Sequence, residues 1–176
     1  GTIVENRSIV RSLFRALEQS PVELIDGARI TGCKRLSGTY TVELEDGRSL
    51  SAGLLVGGDG ANSRLRHWVG LPTREWDYDQ QAIVCTVKTS QSHRFTACQR
   101  FSTTGPLSLL PLLPESGDEH FCSIVWSQDT GEARRLMALD DTHFAAELER
   151  AIERELGSVE SISGRFAFPL RQRHAK

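Results

Sequence analysis

The run LLVGGDGANSRLR at residues 54–66 has the strongest chemical content in the sequence. It begins as a continuously apolar segment, typical of a strand covered on both faces, and passes through Asp59-Gly60 into a helical pattern from about Asn62 to Val69. Glycines let a pyrophosphate approach the backbone, and a helix N-terminus offers free N–H groups and partial positive charge. The Asp59 carboxylate can accept hydrogen bonds from a sugar or ribityl hydroxyl. The run therefore indicates a nucleotide-cofactor site.

Two simpler interpretations compete with a cofactor site. Asp59-Gly60 alone is typical of a tight turn that binds nothing. Other nucleotide-binding α/β domains, methyltransferases among them, also place glycines after a strand, so the loop by itself leaves the ligand class open. The complete run favours a cofactor site over a simple turn, because its apolar, small, acidic and basic positions occur together.

The same run resembles the second fingerprint of the class A flavoprotein hydroxylases: three apolar residues, two small ones, Asp59-Gly60, Ser63 and Arg66. In that family the Asp contacts the ribityl chain of the flavin, and the motif has been linked to both FAD and NAD(P)H. The resemblance implies that Gly58, Asp59, Gly60 and Arg66 belong to an FAD site.

Five further segments resemble, in the same order, parts of bacterial ubiquinone-biosynthesis hydroxylases: IVENRSIVRSL, WDYDQQAIVCTV, GPLSLLPL, SIVWS and FPLRQRHA. The resemblance implies an FAD-dependent monooxygenase that uses O₂ to hydroxylate the aromatic ring of a polyprenylated phenol, with NAD(P)H or another reductase as electron donor. It also implies a cytoplasmic protein that, at full length, lies at the surface of the inner membrane beside other ubiquinone-biosynthesis proteins.

Two parts of the family pattern are missing from the chain: the N-terminal GxGxxG turn that grips the ADP half of FAD, and the later GDAAH segment. The chain also begins with Gly1 and ends abruptly at RHAK, which we interpret as an internal piece of a longer enzyme. We therefore expect the piece alone to be inactive and to bind FAD weakly or not at all.

Asn6 stands where members of this family place a polar side chain close to FAD. Its position before a helical pattern over residues 7–19 supports an alternative role as the helix cap. Both interpretations stay open from the sequence.

The second half of the chain reads as β-like runs at 80–88, 94–101, 106–113 and 119–127. Alternation along the second run places Phe95, Ala97, Gln99 and Phe101 on one uncharged face. Such a face suits a prenylated phenol, so the candidate substrate residues are Gln99, Phe101, Leu110 and Leu112. The alternative for each is ordinary sheet core.

These elements predict an α/β (α+β) fold. Residues 1–71 would form part of a Rossmann-like FAD-binding domain. It would contain a hairpin over residues 40–52 with Asp46-Gly47 at its turn, and Gly70 and Pro72 would end the helix that follows the glycines. Residues 72–176 would form a mainly antiparallel sheet with one long helix at 144–156, which Asp140 or Asp141 could cap, and a last strand at 159–170. The family resemblance implies that these elements are arranged as in para-hydroxybenzoate hydroxylase.

Composition limits the remaining functions. The net charge of −2 gives no basic surface for nucleic acid, and no apolar run reaches the length of a transmembrane helix. The four cysteines and five histidines lack metal-site spacing, so no metal site is predicted and the cysteines read as buried thiols. No acid–base pair stands out, so no catalytic residue is assigned. The alternatives are a flavin hydroxylase for another aromatic substrate, or a non-catalytic ligand-binding or assembly module.

Overall fold

The computed structural model describes residues 3–175, which form two compact units. One unit contains Ile9–Trp76 together with residues 173–175, and the other contains residues 3–8 and Asp77–Gln172. We call them the loop unit and the sheet unit.

Helix α1 (Asn6–Glu18) confirms the predicted helix at residues 7–19. Its apolar residues recur at the spacing of one helical face, and four of them are largely exposed: Ile9, Val10, Leu13 and Phe14. The amphipathic pattern therefore fixes the helix and its apolar side.

The loop unit contains a three-stranded antiparallel sheet in the order β1 (Ile30–Leu36), β2 (Thr39–Leu44), β3 (Ser49–Ala52). The predicted hairpin is confirmed as β2 and β3, and Gly47 at its turn has φ +86°, a conformation that glycine adopts without a Cβ penalty. Strand β1 was not predicted, because its sequence ITGCKRL alternates poorly between apolar and polar residues.

The predicted buried strand at residues 54–58 is wrong. This segment has no regular secondary structure, and Leu54 and Val56 are 76% and 78% exposed. A continuously apolar strand needs neighbouring strands on its edges and cover on both faces. Within the described residues, no strand pairs with it.

The helix after the glycines is confirmed as α2 (Arg64–Trp68). The Ser63 hydroxyl caps it by accepting a hydrogen bond from the Arg66 backbone N–H at 3.0 Å. Gly70 follows with φ +68° and ends the helix as the sequence predicted.

The sheet unit is built on a mainly antiparallel sheet of six strands, two of which have their outermost residues in the loop unit. They are β4 (Thr73–Thr89), β5 (Cys98–Ser102), β6 (Gly105–Leu112), β7 (Phe121–Asp129), β8 (Val159–Ile162) and β9 (Phe166–Ala175). The main order is β5-β6-β7-β4-β8, and β9 pairs with β4. The antiparallel sheet is confirmed, but the single last strand predicted at 159–170 is two strands.

The first half of the strand predicted at 94–101 is wrong, because residues 94–97 form no strand and begin with a turn at Arg94 and Phe95. Arg94 and Phe95 have φ +47° and +55°, and the buried His93 ring accepts a hydrogen bond from the Phe95 backbone N–H at 3.0 Å. Ala97 lies outside β5 as well. Phe95 and Ala97 therefore do not extend the uncharged strand face.

Two helices cover one face of this sheet: α3 (Thr130–Ala138) and α4 (Asp141–Ala151). The predicted cap is confirmed, because the Asp140 carboxylate accepts a hydrogen bond from the His143 backbone N–H at 2.9 Å. The helix predicted at 144–156 is present as α4, but it ends earlier, at Ala151, because Glu153 and Arg154 follow with positive φ. Helix α3 was not predicted.

The core lies between these helices and the sheet. Every second residue of the central strands points into this core. These side chains pack against Leu136, Phe144 and Leu148 of the helices, which are all fully buried. The strand members of this cluster are Ile83, Cys85, Val87, Leu107, Leu109, Cys122, Ile124 and Trp126. We call this the helix-covered face and the other side the open face.

No helix within residues 3–175 is long and apolar enough to cross a membrane.

Candidate functional site

The glycine-rich loop of residues 57–63 is shaped by close packing at one end and open space beyond it. A Cβ on Gly57 would lie 2.9 Å from Cδ2 of Leu65, so a larger residue here would require the Leu65 side chain to move. Gly58 and Gly60 have no atom within 4 Å of the place a Cβ would occupy, and Gly60 has φ +77°. The loop is therefore packed against Leu65 at Gly57, and it leaves open backbone at Gly58 and Gly60.

The Asp59 carboxylate connects this loop to α2. Its Oδ2 accepts hydrogen bonds from the backbone N–H groups of Arg64 at 2.9 Å and Leu65 at 3.2 Å. The pKa of Asp59 is lowered by a hydrogen bond from the Ser63 side chain and by the N–H groups of Leu65 and Arg64. The carboxylate is thus ionised at neutral pH and stabilises the loop conformation.

The Arg66 side chain holds the other end of the loop. Its Nη2 donates a hydrogen bond to the carbonyl oxygen of Ala61 at 2.6 Å. A guanidinium has five N–H donors, so this contact leaves donors that an anion could use. Arg66 therefore combines a local structural contact with spare donor capacity.

Beside the loop lies a polar cavity of about 460 Å³, entirely within the loop unit. The Arg173 Nη1 donates to the Asn62 side chain at 2.8 Å, and Arg173 Nε lies 2.9 Å from a Glu75 carboxylate oxygen. The lining residues are Ala61, Asn62, Ser63, Arg66, His67, Leu71, Thr73, Glu75 and Arg173. No local sequence pattern predicted the contact of Asn62 with Arg173, because the two residues are 111 residues apart along the chain.

The residues of the loop fit a flavin nucleotide. Gly58 and Gly60 leave room for a close approach of a phosphate or ribityl group to the backbone. Arg66 supplies cationic donors, and the Asp59 carboxylate is fixed in place by α2. Glycine backbone, a fixed carboxylate and a guanidinium in one loop form a donor and acceptor set suited to a phosphorylated polyol.

Asn6 lies in the sheet unit as the first residue of α1, one position inside the helix. The carbonyl of Glu5 accepts the Ser8 backbone N–H at 3.0 Å, and Arg7 Nε pairs with the Glu5 carboxylate at 2.6 Å. Asn6 itself is exposed, and no hydrogen bond of its side chain is present within residues 3–175. The capping interpretation is therefore not seen in the structure.

The four predicted substrate residues lie on the open face of the sheet unit. The strand register pairs Gln99 with Ser108 and Phe101 with Pro106, and Leu110 and Leu112 continue the same alternation along β6. Phe101 is 77% exposed, whereas Leu110 and Leu112 are half-buried. Because the core residues Leu107 and Leu109 alternate with them, these four side chains share the face away from the helices.

The open face is mostly apolar or small along its central strands. β7 contributes Phe121, Ser123 and Val125, which the register aligns with Leu112, Leu110 and Ser108 of β6. On β4, Val84 and Thr86 pair with Val125 and Ser123, and Lys88 lies at the end of the face opposite Phe121. A surface of this composition, apolar with few polar groups, is of the kind that suits an apolar ligand.

A family model described as FAD binding domain matches residues 2–176 of the chain. The chain is 36% identical over 171 residues to the "Ubiquinone hydroxylase UbiL" of Rhodospirillum rubrum, covering 97% of this chain and 39% of that protein. It is 30% identical over 176 residues to the "3-demethoxyubiquinol 3-hydroxylase" of Escherichia coli, covering 99% of this chain and 44% of that protein. The chain therefore spans less than half of the relatives that it matches.

Among solved structures, the p-nitrophenol 4-monooxygenase of Pseudomonas putida has the same fold. The TM-score is 0.72 over 98% of this chain and 44% of that one, at 16% sequence identity. This likeness concerns the arrangement of helices and strands.

Proposed function

The chain belongs to the FAD binding domain family, and from that premise we propose that it is part of an FAD-dependent monooxygenase. The proposed reaction is hydroxylation of the aromatic ring of a polyprenylated phenol in ubiquinone biosynthesis. The observation that carries this proposal is the likeness, over nearly the whole chain, to the ubiquinone hydroxylases of Rhodospirillum rubrum and Escherichia coli. The antiparallel sheet with its apolar open face supports a ring-binding role.

In this proposal the glycine-rich loop holds FAD through Gly58, Asp59, Gly60 and Arg66. Gly58 and Gly60 admit the cofactor to the backbone, and Arg66 has N–H donors left for a phosphate. Asp59 uses Oδ2 to fix the start of α2, so the carboxylate is already ordered before it receives a ribityl hydroxyl. Such preorganisation lowers the entropic cost of binding. Asn6, exposed at the start of α1, is a further proposed FAD contact.

The proposed substrate surface is the open face around Gln99, Phe101, Leu110 and Leu112. Leu110 and Leu112 are half-buried without a charge beside them on β6, so they can contact a ring or prenyl chain. Gln99 is exposed beside Ser108 and offers an amide that can orient a phenolic hydroxyl. Phe101 extends the apolar surface toward the edge strand of the sheet.

FAD, when bound, supplies the redox chemistry that activates O₂. The residues of this chain would then bind the cofactor and the substrate and orient the substrate ring. The apolar face excludes water from the ring, and the amide of Gln99 fixes which ring carbon is presented. We further propose NAD(P)H or another reductase as electron donor, and a cytoplasmic position at the surface of the inner membrane, where a prenylated substrate resides.

The proposal is tested on the purified full-length protein. A flavin absorbance spectrum and oxygen insertion into a prenylated phenol, followed by mass spectrometry, are the expected results. If the protein carries flavin but hydroxylates only soluble aromatic acids, the proposed polyprenylated phenol is wrong and the substrate is a soluble aromatic acid. A protein that carries no flavin would leave a non-catalytic ligand-binding or assembly module as the function.

A further inference from the structure

A second cavity, on the helix-covered side of the sheet unit, has no part in the proposed function. Its volume is about 260 Å³. Its inner wall contains Leu107, Trp126 and Gln128, and its mouth contains Arg100, Arg150 and Glu132. Arg100 alternates with Gln99 and Phe101 along β5, so this cavity and the proposed substrate face lie on opposite sides of the same sheet.

Gln128 is the unusual residue of this cavity. Its side chain is only 3% exposed, and its Oε1 is buried without a hydrogen-bond partner in the part of the chain that the structure describes. An unmatched buried amide group is costly, and native proteins rarely leave one without a reason. Rotation of the amide exchanges its carbonyl and NH₂ groups, so the wall needs a partner that can donate or accept a hydrogen bond. A hydroxyl group can do both.

The remaining wall residues specify the rest of a ligand. Leu107 and Trp126 are 3% and 5% exposed and form an apolar inner wall. Arg100 pairs with Glu153, and Arg150 pairs with Glu147 at 2.8 Å through one nitrogen. Each guanidinium keeps further donors, which suit a carboxylate. The Glu132 carboxylate is held by Arg135 at 2.7 Å, which offsets its repulsion of an anion.

We propose that this cavity binds a small aromatic acid that carries a hydroxyl group. The hydroxyl pairs with the Gln128 amide, the ring lies against Leu107 and Trp126, and the carboxylate meets Arg100 and Arg150. The volume is slightly below the usual range for ligand pockets, which limits the ligand to a single ring with short substituents. The site would allow a soluble aromatic acid to bind the sheet unit without occupying the open face.

The test uses three probes that differ in one group each: 4-hydroxyphenylacetate, phenylacetate without the hydroxyl, and 4-methylphenol without the carboxylate. Affinity for the purified full-length protein is measured by calorimetry, and the site is identified by shifts of the assigned Trp126 indole N–H in NMR spectra. The expected result is a shift of Trp126 with 4-hydroxyphenylacetate, and binding roughly tenfold weaker for each of the other two probes.

Three variants distinguish binding in this cavity from binding elsewhere on the protein. Gln128→Leu removes the unmatched amide without leaving a void, and it should bring the affinity for 4-hydroxyphenylacetate down to that for phenylacetate. Arg100→Gln should lower the affinity for both acids about tenfold and leave the affinity for 4-methylphenol unchanged. Arg134→Gln, an exposed arginine of α3 outside the cavity, makes the same charge change and should have no effect.

Three outcomes overturn the proposal. They are an unshifted Trp126 indole at saturating probe, equal affinity of Arg100→Gln and Arg134→Gln for the acids, or a crystal structure with probe in which Gln128 contacts only water. If Gln128→Leu fails to fold, the comparison of Arg100→Gln with Arg134→Gln still tests whether the acids bind in this cavity. Leu110→Arg, on the open face, should leave probe binding intact, and loss of binding in that variant would place the acid on the open face instead.

Discussion

The Asp59 carboxylate accepts a hydrogen bond from the backbone N–H of Arg64 at 2.9 Å, and this contact ties the acidic residue of the glycine-rich loop to the start of α2. A residue that orders its own loop can serve a cofactor only through the lone pairs that remain. The two roles predict different behaviour for different substitutions.

Asp59→Ala in the full-length protein should lower FAD affinity by roughly tenfold or more, because the loop loses both its anchor and a cofactor acceptor. Asp59→Asn should retain more flavin, since its side-chain carbonyl can still accept the α2 N–H groups. Flavin content after dialysis is the measurement.

The matched control for Asp59 is Asp46→Ala, which removes a carboxylate that accepts the Arg48 backbone N–H at 3.0 Å in the β2–β3 turn. It should leave flavin content unchanged. If Asp59→Ala also has normal flavin content, Asp59 does not contact the cofactor, and Asp59-Gly60 has only a structural role as a turn.

Leu110→Arg or Leu112→Arg in the full-length protein should abolish turnover of the prenylated substrate while flavin stays bound. An unpaired charge on an apolar contact surface is strongly disfavoured. Hydroxylated product is measured by mass spectrometry, and NAD(P)H oxidation in the same samples reports whether electron transfer persists.

Leu36→Arg is the control for the open face, because Leu36 is 78% exposed on β1 in the loop unit. It should hydroxylate at the normal rate. If the Leu110 and Leu112 variants do so too, these leucines do not contact the substrate.

The chain alone should bind FAD far more weakly than the full-length protein, because its sequence contains neither GxGxxG nor GDAAH. Isothermal titration of FAD into each protein measures the difference. Micromolar or tighter binding by the chain alone would show that residues 3–175 contain most of the cofactor site.

Alkaline pH should destabilise the sheet unit. Burial raises the pKa of the Cys85 and Cys122 thiols to about 11 from the ordinary 9.0, so the folded state keeps protons that the unfolded state loses. The contribution is fully present below about pH 9 and is lost between about pH 9 and 11, by roughly 2 to 3 kcal/mol per thiol.

Urea unfolding at a series of pH values measures this decline. Cys85→Ala and Cys122→Ala lower stability by leaving small voids, yet each should make the decline between neutral and alkaline pH shallower. Cys33→Ala, in the loop unit, is the control and should leave the slope unchanged. An equal slope in all four proteins would contradict the assignment to buried thiols.

The sequence predicted elements whose signals are local. The amphipathic spacing of α1, the Asp140 cap of α4, Asp46-Gly47 at the hairpin and Gly70 after α2 are each specified within a few residues. The open-face register of Gln99 with Leu110 also follows from simple alternation.

The wrong predictions concern segments whose conformation depends on residues that are distant in the sequence. Leu54 to Val56 is apolar enough for a buried strand, but a strand also needs partners, and the described chain gives it none. Residues 94–97 alternate like a strand, but the buried His93 ring fixes a turn there through the Phe95 N–H. The Arg173–Asn62 contact and the unmatched Gln128 amide depend on tertiary neighbours that no local pattern contains.

The most direct test of the central claim is mass spectrometry of the quinones and their precursors in cells that lack the full-length gene. We predict accumulation of a polyprenylated phenol that lacks one ring oxygen, with recovery of the mature quinone when the intact gene is restored and weaker recovery with the Asp59→Ala gene. A normal quinone pool with no accumulated precursor would contradict the assignment of this chain to a ring hydroxylase of ubiquinone biosynthesis.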